Sequence, residues 1–443
     1  MRRRVSVAYP LGSLAIVLLS GLAHARWSDV SYRFGSQNSY FAYLAFAVLH
    51  VFVAAVAGIP DEAEDVQPAI LRALLAAAIA TAVWLLVQTI SPGLLPRRVI
   101  LWNAVGQPAW SFVCAALSIR SDRRLVRRER VCALVQADDV AGLQSDCARD
   151  FPYPEASFLL VDVVTTDELF ALSSAADVHA RLARDEPSLI VAADSFTALP
   201  RVVDAVTLLH RSGVKVRTLA QFYEDYIGKE SLGELTRMTM LFDVRTLHHS
   251  TYRRAKRVMD VVGALVGLVA ALVVVPAVLV GNLFANRGTL LFSQRRVGRD
   301  GTVFTMTKFR TMRVGSDIST TTWTAPDDPR ITPFGRLLRR SHVDELPQLW
   351  NVLKGDLSLV GPRPEQPHYV DELVRKEPAY ELRHLVTPGM TGWAQIKHRY
   401  AASEAEAIEK LQYDLYYLRN QSLSLDLRII SRTVRSVIRQ RGR

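Results

Sequence analysis

The sequence predicts a mixed membrane protein in three parts: a four-helix transmembrane region, a small parallel α/β domain, and a mainly helical C-terminal domain with a re-entrant membrane helix. Three observations predict it. Four long apolar runs fill the first 120 residues, four strand-like runs alternate with helix-length segments between 131 and 230, and one further apolar run is flanked by arginines on both sides. A length of 443 residues accommodates such a division. The expected boundaries are 1–120, 121–230, a linker at 231–254, and 255–443 with the re-entrant helix at about 261–284.

The first four apolar runs lie at roughly 7–23, 40–59, 69–90 and 99–119. Each has about the 17 to 25 residues that cross a bilayer as a helix. The chain opens MRRR and the fourth run is followed by RSDRRLVRRER. The positive-inside rule puts both flanks in the cytoplasm and requires an even number of crossings. Arg97 and Arg98, in the short loop before the fourth run, pull against this. An alternative for the first run is a signal peptide cleaved at Ala23-His24-Ala25. Three crossings would then remain, and the downstream half would still be cytoplasmic.

From 131 to 230 the pattern turns from uniformly apolar to alternating. VCALVQ (131–136), SFLLVDVV (157–164), SLIVAAD (188–194) and GVKVRTL (213–219) read as strands separated by helices, the pattern of a parallel sheet. A dinucleotide site needs glycines just after the first strand, and QADDVAGL supplies only Gly142. The expected role is therefore structural or regulatory, with Asp138 and Asp139 as solvated loop residues.

The third region begins with RRAKRVMD, followed by VVGALVGLVAALVVVPAVLVGNLF. Those 24 residues would span about 36 Å as a straight helix. Pro276 interrupts the run and removes a backbone donor. Arg253, Arg254, Lys256 and Arg257 precede it, and Arg287, Arg295, Arg296 and Arg299 follow, so a crossing would send one cluster to the wrong side. A helix that bends and returns to the same face satisfies both clusters. An ordinary fifth span is the alternative. At the far end, LDLRIISRTVRSVIRQRGR sets Leu427, Ile430, Val434, Val437 and Ile438 on one helical face and arginines on another. This is the pattern of a basic helix lying on anionic lipid, or of a helix packed on its own domain.

The formal charge of +11 calls for an anionic partner. The apolar runs favour membrane lipid over nucleic acid, which is not expected as a partner. Cys114, Cys132 and Cys147 form no metal-binding spacing, and their odd number fits a reducing compartment.

The chemistry concentrates in SHVDELPQLWNVLKGDLSLVGPRP, residues 341–364. Ser341 and Asp344 have capping-box spacing, Leu346, Leu349, Trp350 and Leu353 form an apolar stripe, and Lys354-Gly355 supplies a stop. Asp344 and Glu345 thus fall at the positive end of a helix dipole. Adjacent helical positions point about 100° apart, so the two acids cannot share one job. Either one attacks while the other holds a metal or a proton, or both are surface acids matched to the dipole. Lys308, Arg310, Arg339, Arg340 and Arg363 supply five cations of the kind that offset a diphosphate's charge during phosphoryl transfer. Pro362 and Pro364 restrict Arg363, whose planar fork suits phosphate. The plain alternative is a rigid loop with a solvated arginine.

KRVMD, SQRRVGRDGTVFTMTKFRTM, DDPRITPFGRLLRRSHVDELPQLWNVLKGDLSLVGPRP, TPGMTGWAQI and YDLYYLRNQSLSLDLRII, in that order from about residue 255, resemble the bacterial sugar transferases, the monotopic polyprenyl-phosphate glycosyl-1-phosphate transferases. The first 250 residues resemble the four-span, Rossmann-like extension of the larger members that initiate exopolysaccharide synthesis. The resemblance implies transfer of a sugar 1-phosphate from a UDP-sugar to polyprenyl phosphate with release of UMP. It implies Asp344 as the nucleophile that holds the phosphosugar, and Glu345 as the partner associated with Mg2+. It points to Lys308, Arg339, Pro362, Arg363, Pro364, Arg399, Asp414 and Asp426 as active-site or substrate-positioning residues, joined here by Arg310; for Asp414 and Asp426 a structural role, capping or pairing locally, is the alternative. It also implies a multi-pass protein of the bacterial inner membrane with this region on the cytoplasmic face; homo-oligomerisation is compatible with it. Two departures stand out. Val275 precedes Pro276 where the family usually has serine, and KHRY at 397–400 replaces an Asn-Gly-Arg-Asn turn, which affects the role carried over to Arg399. The rival activities are a glycosyltransferase that releases UDP and a non-catalytic membrane scaffold.

Overall fold

The structure, a computed structural model, describes residues 2–27, 37–57, 66–90, 95–125, 129–148, 158–193, 196, 199–230, 250–285, 289–313, 328–398 and 404–438. The chain divides into two compact units, Met1–Arg127 and Arg128–Arg443.

Among the described residues the first unit has four helices: α1 (Arg2–Trp27), α2 (Gln37–Ala57), α3 (Val66–Ile90) and α4 (Arg97–Leu125). Polar side chains tie α1 to α4 in its interior. The Ser13 hydroxyl donates to Gln107 Oε1 at 2.8 Å, Asn103 Nδ2 donates to Ser20 Oγ at 2.7 Å, and Tyr9 meets Ser111 at 2.8 Å. Large apolar side chains such as Leu11, Leu19, Phe41, Val48 and Val105 face outward. Buried polar groups inside and apolar groups outside invert the order of a water-soluble bundle. Ala8–Arg26 and Arg97–Leu117 are long and apolar enough to cross a membrane. Phe41–Ala54 and Ala73–Leu85, the apolar stretches described in the other two, are shorter.

The second unit opens with a four-stranded sheet, β1 (Glu129–Val135), β2 (Phe158–Thr165), β3 (Leu189–Ala192) and β4 (Lys215–Thr218), in the order β2-β1-β3-β4. Every pairing is parallel. The strands fall within the four strand-like runs of the sequence, and the inner strand β1 is buried from Val131 to Val135. The segment leaving the sheet packs on the C-terminal helices. Trp393 Nε1 donates to the Gly228 carbonyl at 2.8 Å, and Glu230 N donates to the Gln412 carbonyl at 3.1 Å.

A 36-residue helix, Ser250–Ala285, carries the fifth apolar run. Its halves, Thr251–Val269 and Ala271–Ala285, meet at 49°. The sequence placed this bend at Pro276. It lies instead between Val269 and Ala271, fewer than two turns before Pro276 and upstream of Leu272, whose carbonyl the proline leaves without its donor. Asp260, Ala264, Ala271 and Val278 form a buried stripe against the domain, while Val266, Val269, Leu272, Val273, Leu283 and Phe284 are exposed.

Arg257 and Asp260, both from the KRVMD tract, anchor this helix. Arg257 donates to the Val352 and Leu353 carbonyls, each at 2.6 Å, capping the helix Leu349–Lys354. Asp260 Oδ1 accepts from Ser358 Oγ and Leu359 N, each at 2.9 Å, fixing the start of β7 (Ser358–Val360). β5 (Leu291–Val297) and β6 (Val303–Phe309) form an antiparallel hairpin, and β7 pairs in parallel with β8 (Gly389–Thr391).

Two local expectations need correction. Ser341 forms no capping box, because it ends the preceding helix, Pro333–Arg340, and its hydroxyl donates back to the Leu337 and Leu338 carbonyls at 2.9 and 3.1 Å. Of the C-terminal helix Leu423–Ile438, Leu425, Ile429 and Arg435 are buried, and only Leu427 of the proposed lipid face is exposed among the described side chains. This is the packed-helix alternative.

Candidate active site

The β5–β6 hairpin supplies one wall. Its pairing sets Phe292 opposite Lys308, Gln294 opposite Met306 and Arg296 opposite Phe304, all on one face. The helix Pro333–Arg340 supplies the second wall. Thr332 caps it, accepting from Gly335 N at 2.9 Å, and Gly335 lets it lie against the strand end. A Cβ there would come within 2.0 Å of the Thr311 carbonyl oxygen. That approach allows Arg339 Nε to donate to Thr311 Oγ1 at 2.9 Å. Phe292, Lys308, Arg310, Thr311, Met312 and Arg339 line a small, partly open cleft. Phe292 forms an aromatic support in it, 5.3 Å from Lys308 Nζ and 5.8 Å from the Arg310 guanidinium carbon.

His342 turns the chain in the left-handed region (φ 55°), and a 3-10 helix, Val343–Gln348, follows. The tighter winding accommodates Pro347 and presents Asp344 and Glu345 at its start. Asp344 is buried, with 7% of its surface exposed. Arg363 Nη2 donates to Glu345 Oε1 at 2.9 Å. Solvated surface acids are therefore excluded for this pair.

The two carboxylates are driven apart in acidity. Burial and then the Glu345 charge push Asp344 up to about 6, against the pull of Lys308, Arg339 and Arg363. Burial also acts to raise Glu345, but the charge and hydrogen bond of Arg363 outweigh it and hold that carboxyl below the usual range. Burial and the neighbouring Arg339 push Lys308 down to about 8.

The remaining sequence-predicted residues divide. Pro362, Arg363 and Pro364 form the turn that delivers the guanidinium to Glu345. Asp414 lies behind this turn: its Oδ2 accepts from Arg383 Nη2 at 2.8 Å, and the same nitrogen donates to the Arg363 carbonyl at 2.8 Å. Asp426, fully buried, is a junction that accepts from Tyr252 at 2.9 Å, Lys256 at 3.0 Å and Tyr417 at 2.7 Å. Arg340 is exposed and does not line the cleft, so the fifth expected cation drops out. Arg399 lies outside the described residues.

Sequence reasoning missed Arg296, Arg383, Phe292 and Gln348 as parts of the site. Strand periodicity in LFSQRRV would have put Phe292 and Arg296 on the Lys308 face once the hairpin partner was known. No local signal marks Arg383. Gln348, buried on the same 3-10 helix as the acids, has an Nε2 with no hydrogen-bond partner among the described residues.

The profile of the bacterial sugar transferase family matches residues 251–440. An uncharacterized sugar transferase, EpsL, of Bacillus subtilis (strain 168) is 41% identical over 187 residues, which are 42% of this chain and 89% of that protein. The UDP-N-acetylgalactosamine-undecaprenyl-phosphate N-acetylgalactosaminephosphotransferase of Aeromonas hydrophila is 41% identical over 189 residues, 42% of this chain and 44% of its own length. The UDP-glucose:undecaprenyl-phosphate glucose-1-phosphate transferase of Xanthomonas campestris pv. campestris is 43% identical over 190 residues, 42% of this chain and 39% of its own length. This chain thus spans less than half the length of the latter two relatives.

Proposed function

This chain belongs to the bacterial sugar transferase family, and we propose that it transfers a sugar 1-phosphate from a UDP-sugar to undecaprenyl phosphate, releasing UMP. The observation that carries this reading is a buried Asp344 beside an arginine-paired Glu345, next to a cleft lined by Lys308, Arg310 and Arg339. The names of two relatives, which describe undecaprenyl-phosphate phosphotransferases, support the substrate pair.

In the first step an Asp344 carboxylate oxygen attacks the β-phosphorus of the UDP-sugar. The bond to the bridging oxygen breaks, and UMP leaves with its electron pair. Lys308 and Arg339 oppose the charge that builds on the equatorial oxygens. Arg363 holds Glu345 ionised and oriented. In the second step an oxygen of undecaprenyl phosphate attacks the same phosphorus and frees Asp344, giving the lipid diphosphate sugar.

The residues present fit a magnesium ion. Two adjacent carboxylates crowd each other, and Mg2+ usually takes only one or two carboxylates together with substrate phosphates. Among the described residues no three His, Cys, Asp or Glu side chains converge, which fits an ion shared with a diphosphate better than a protein cage. Glu345, with Asp344 beside it, would hold it; when bound, the ion withdraws charge from the phosphate oxygens.

The membrane placement follows the same chemistry. In the proposed arrangement the chain crosses the inner membrane four times and the Ser250–Ala285 helix re-enters it, so that the carboxylates lie at the cytoplasmic interface, where soluble nucleotide sugar and lipid phosphate meet. The 49° bend and the exposed apolar flank of that helix support this reading. The test is a panel of UDP-sugars with undecaprenyl phosphate and magnesium. UMP release is expected; UDP release, or no turnover with any sugar, would overturn the proposal.

A further inference from the structure

We infer that Arg296 and Arg383 are positioning residues that act together through the backbone of the Pro362-Arg363-Pro364 turn. The three carbonyls of this turn and that of Glu365 just after it each have a donor. Gly389 N donates to Pro362 at 2.9 Å, Arg383 Nη2 to Arg363 at 2.8 Å, Arg296 Nη1 to Pro364 at 3.0 Å, and Val297 N to Glu365 at 2.9 Å. The outer two donors are backbone amides of neighbouring strands. The inner two are guanidinium groups from two different elements, Arg296 from β5 and Arg383 from the 3-10 segment Pro378–Leu385.

Each guanidinium is itself held. Arg296 Nη2 donates to Gln294 Oε1 at 2.7 Å, and its Nη1 also reaches Glu365 Oε2 at 3.3 Å. Arg383 is tied to Asp414 and to the Tyr380 hydroxyl. The two prolines limit φ but leave ψ open, so carbonyl direction is the freedom that remains. Fixing the Arg363 and Pro364 carbonyls removes it and directs the Arg363 side chain at Glu345. A lysine ammonium carries its three donors on one nitrogen and cannot span the acceptors that Nη1 and Nη2 of each arginine reach separately.

The activity arm of the test rests on the proposed transferase reaction; the exchange arm does not. Arg296→Lys is expected to lower kcat for UMP release on the order of 10²-fold, as a small misplacement of a catalytic group does. In an Arg363→Ala background the same change should cost less than about twofold, because the residue through which it acts is gone. Arg383→Lys carries the same expectation. A loss of similar size in both backgrounds would overturn the inference, as would undiminished kcat in the single variants.

Hydrogen exchange on the full-length protein in nanodiscs, without substrate, reads the turn directly. The Gly389 amide should exchange faster in either lysine variant, while amides in the core of the helix Glu404–Arg419 keep their protection. An unchanged Gly389 amide would overturn the inference even if the protein turns over no UDP-sugar. Wild-type protein that releases no UMP but shows the exchange effect would instead overturn the proposed reaction alone.

Discussion

Arg363 and Glu345, eighteen residues apart in the chain, meet in a 2.9 Å ion pair that holds Glu345 ionised beside a buried Asp344. The pair separates the two acids by environment. Glu345 has a dedicated cation, whereas Asp344 has burial and a neighbouring negative charge, which raise its proton affinity. A carboxylate destabilised in this way is suited to bond to phosphorus, and one fixed by an arginine is suited to hold a charge in place.

Asp344→Asn keeps the shape of the side chain and removes its charge. UMP release should fall to background. Stability should move the other way. The folded-state pKa, near 6, exceeds the unfolded value near 3.8, so ionisation costs the wild type stability as pH rises across that interval, and the cost persists above it. The variant escapes it, and its thermal unfolding midpoint at neutral pH should be a few degrees higher in the same detergent. A lower midpoint would contradict the assigned strain.

Lys308 offers a pH test. Its pKa is pushed down from 10.5 to about 8, so its charge is lost as pH rises through about 8. Wild-type kcat/KM should fall on that alkaline limb. Lys308→Arg, if active, should lose the limb, since arginine stays protonated throughout. An identical limb in the variant would assign it to another group.

Gly335→Ala places a methyl 2.0 Å from the Thr311 carbonyl oxygen, and backbone must move. A loss of about 1–3 kcal/mol of stability is expected, as for other overpacked sites. Because the shift displaces Arg339 from Thr311, KM for the UDP-sugar should rise as well. Unfolding and steady-state kinetics on the purified variant measure both.

The turn back to the cytoplasm is testable by side-specific labelling. In a cysteine-free background, Arg253→Cys and Thr289→Cys flank the bent helix. A membrane-impermeant thiol reagent should reach both from the cytoplasmic side only. Labelling of position 289 from the opposite side would make the helix a crossing.

Much of this architecture was legible in the sequence. Strand-like runs separated by helix-length segments located all four parallel strands, and the continuous apolar run of β1 matches its burial on both faces. Asp344, Glu345 and Arg363 could be singled out since each sits in a distinctive local context. What could not be read was set by contacts distant in sequence. The bend fell between Val269 and Ala271 rather than at Pro276. Ser341 was claimed by the preceding helix. Arg296 and Arg383 act through the carbonyls of residues that follow or precede them by many positions, and nothing local in either tract marks that partner.

The most direct measurement is to trap the first half-reaction. Protein incubated with UDP-sugar labelled in the β-phosphate, without undecaprenyl phosphate, should carry label on the peptide containing Asp344, with UMP released in equal amount. The label should move to lipid when undecaprenyl phosphate is added. Lipid-linked product forming under the same conditions, with no labelled peptide at any time point, would contradict a covalent phosphosugar on Asp344.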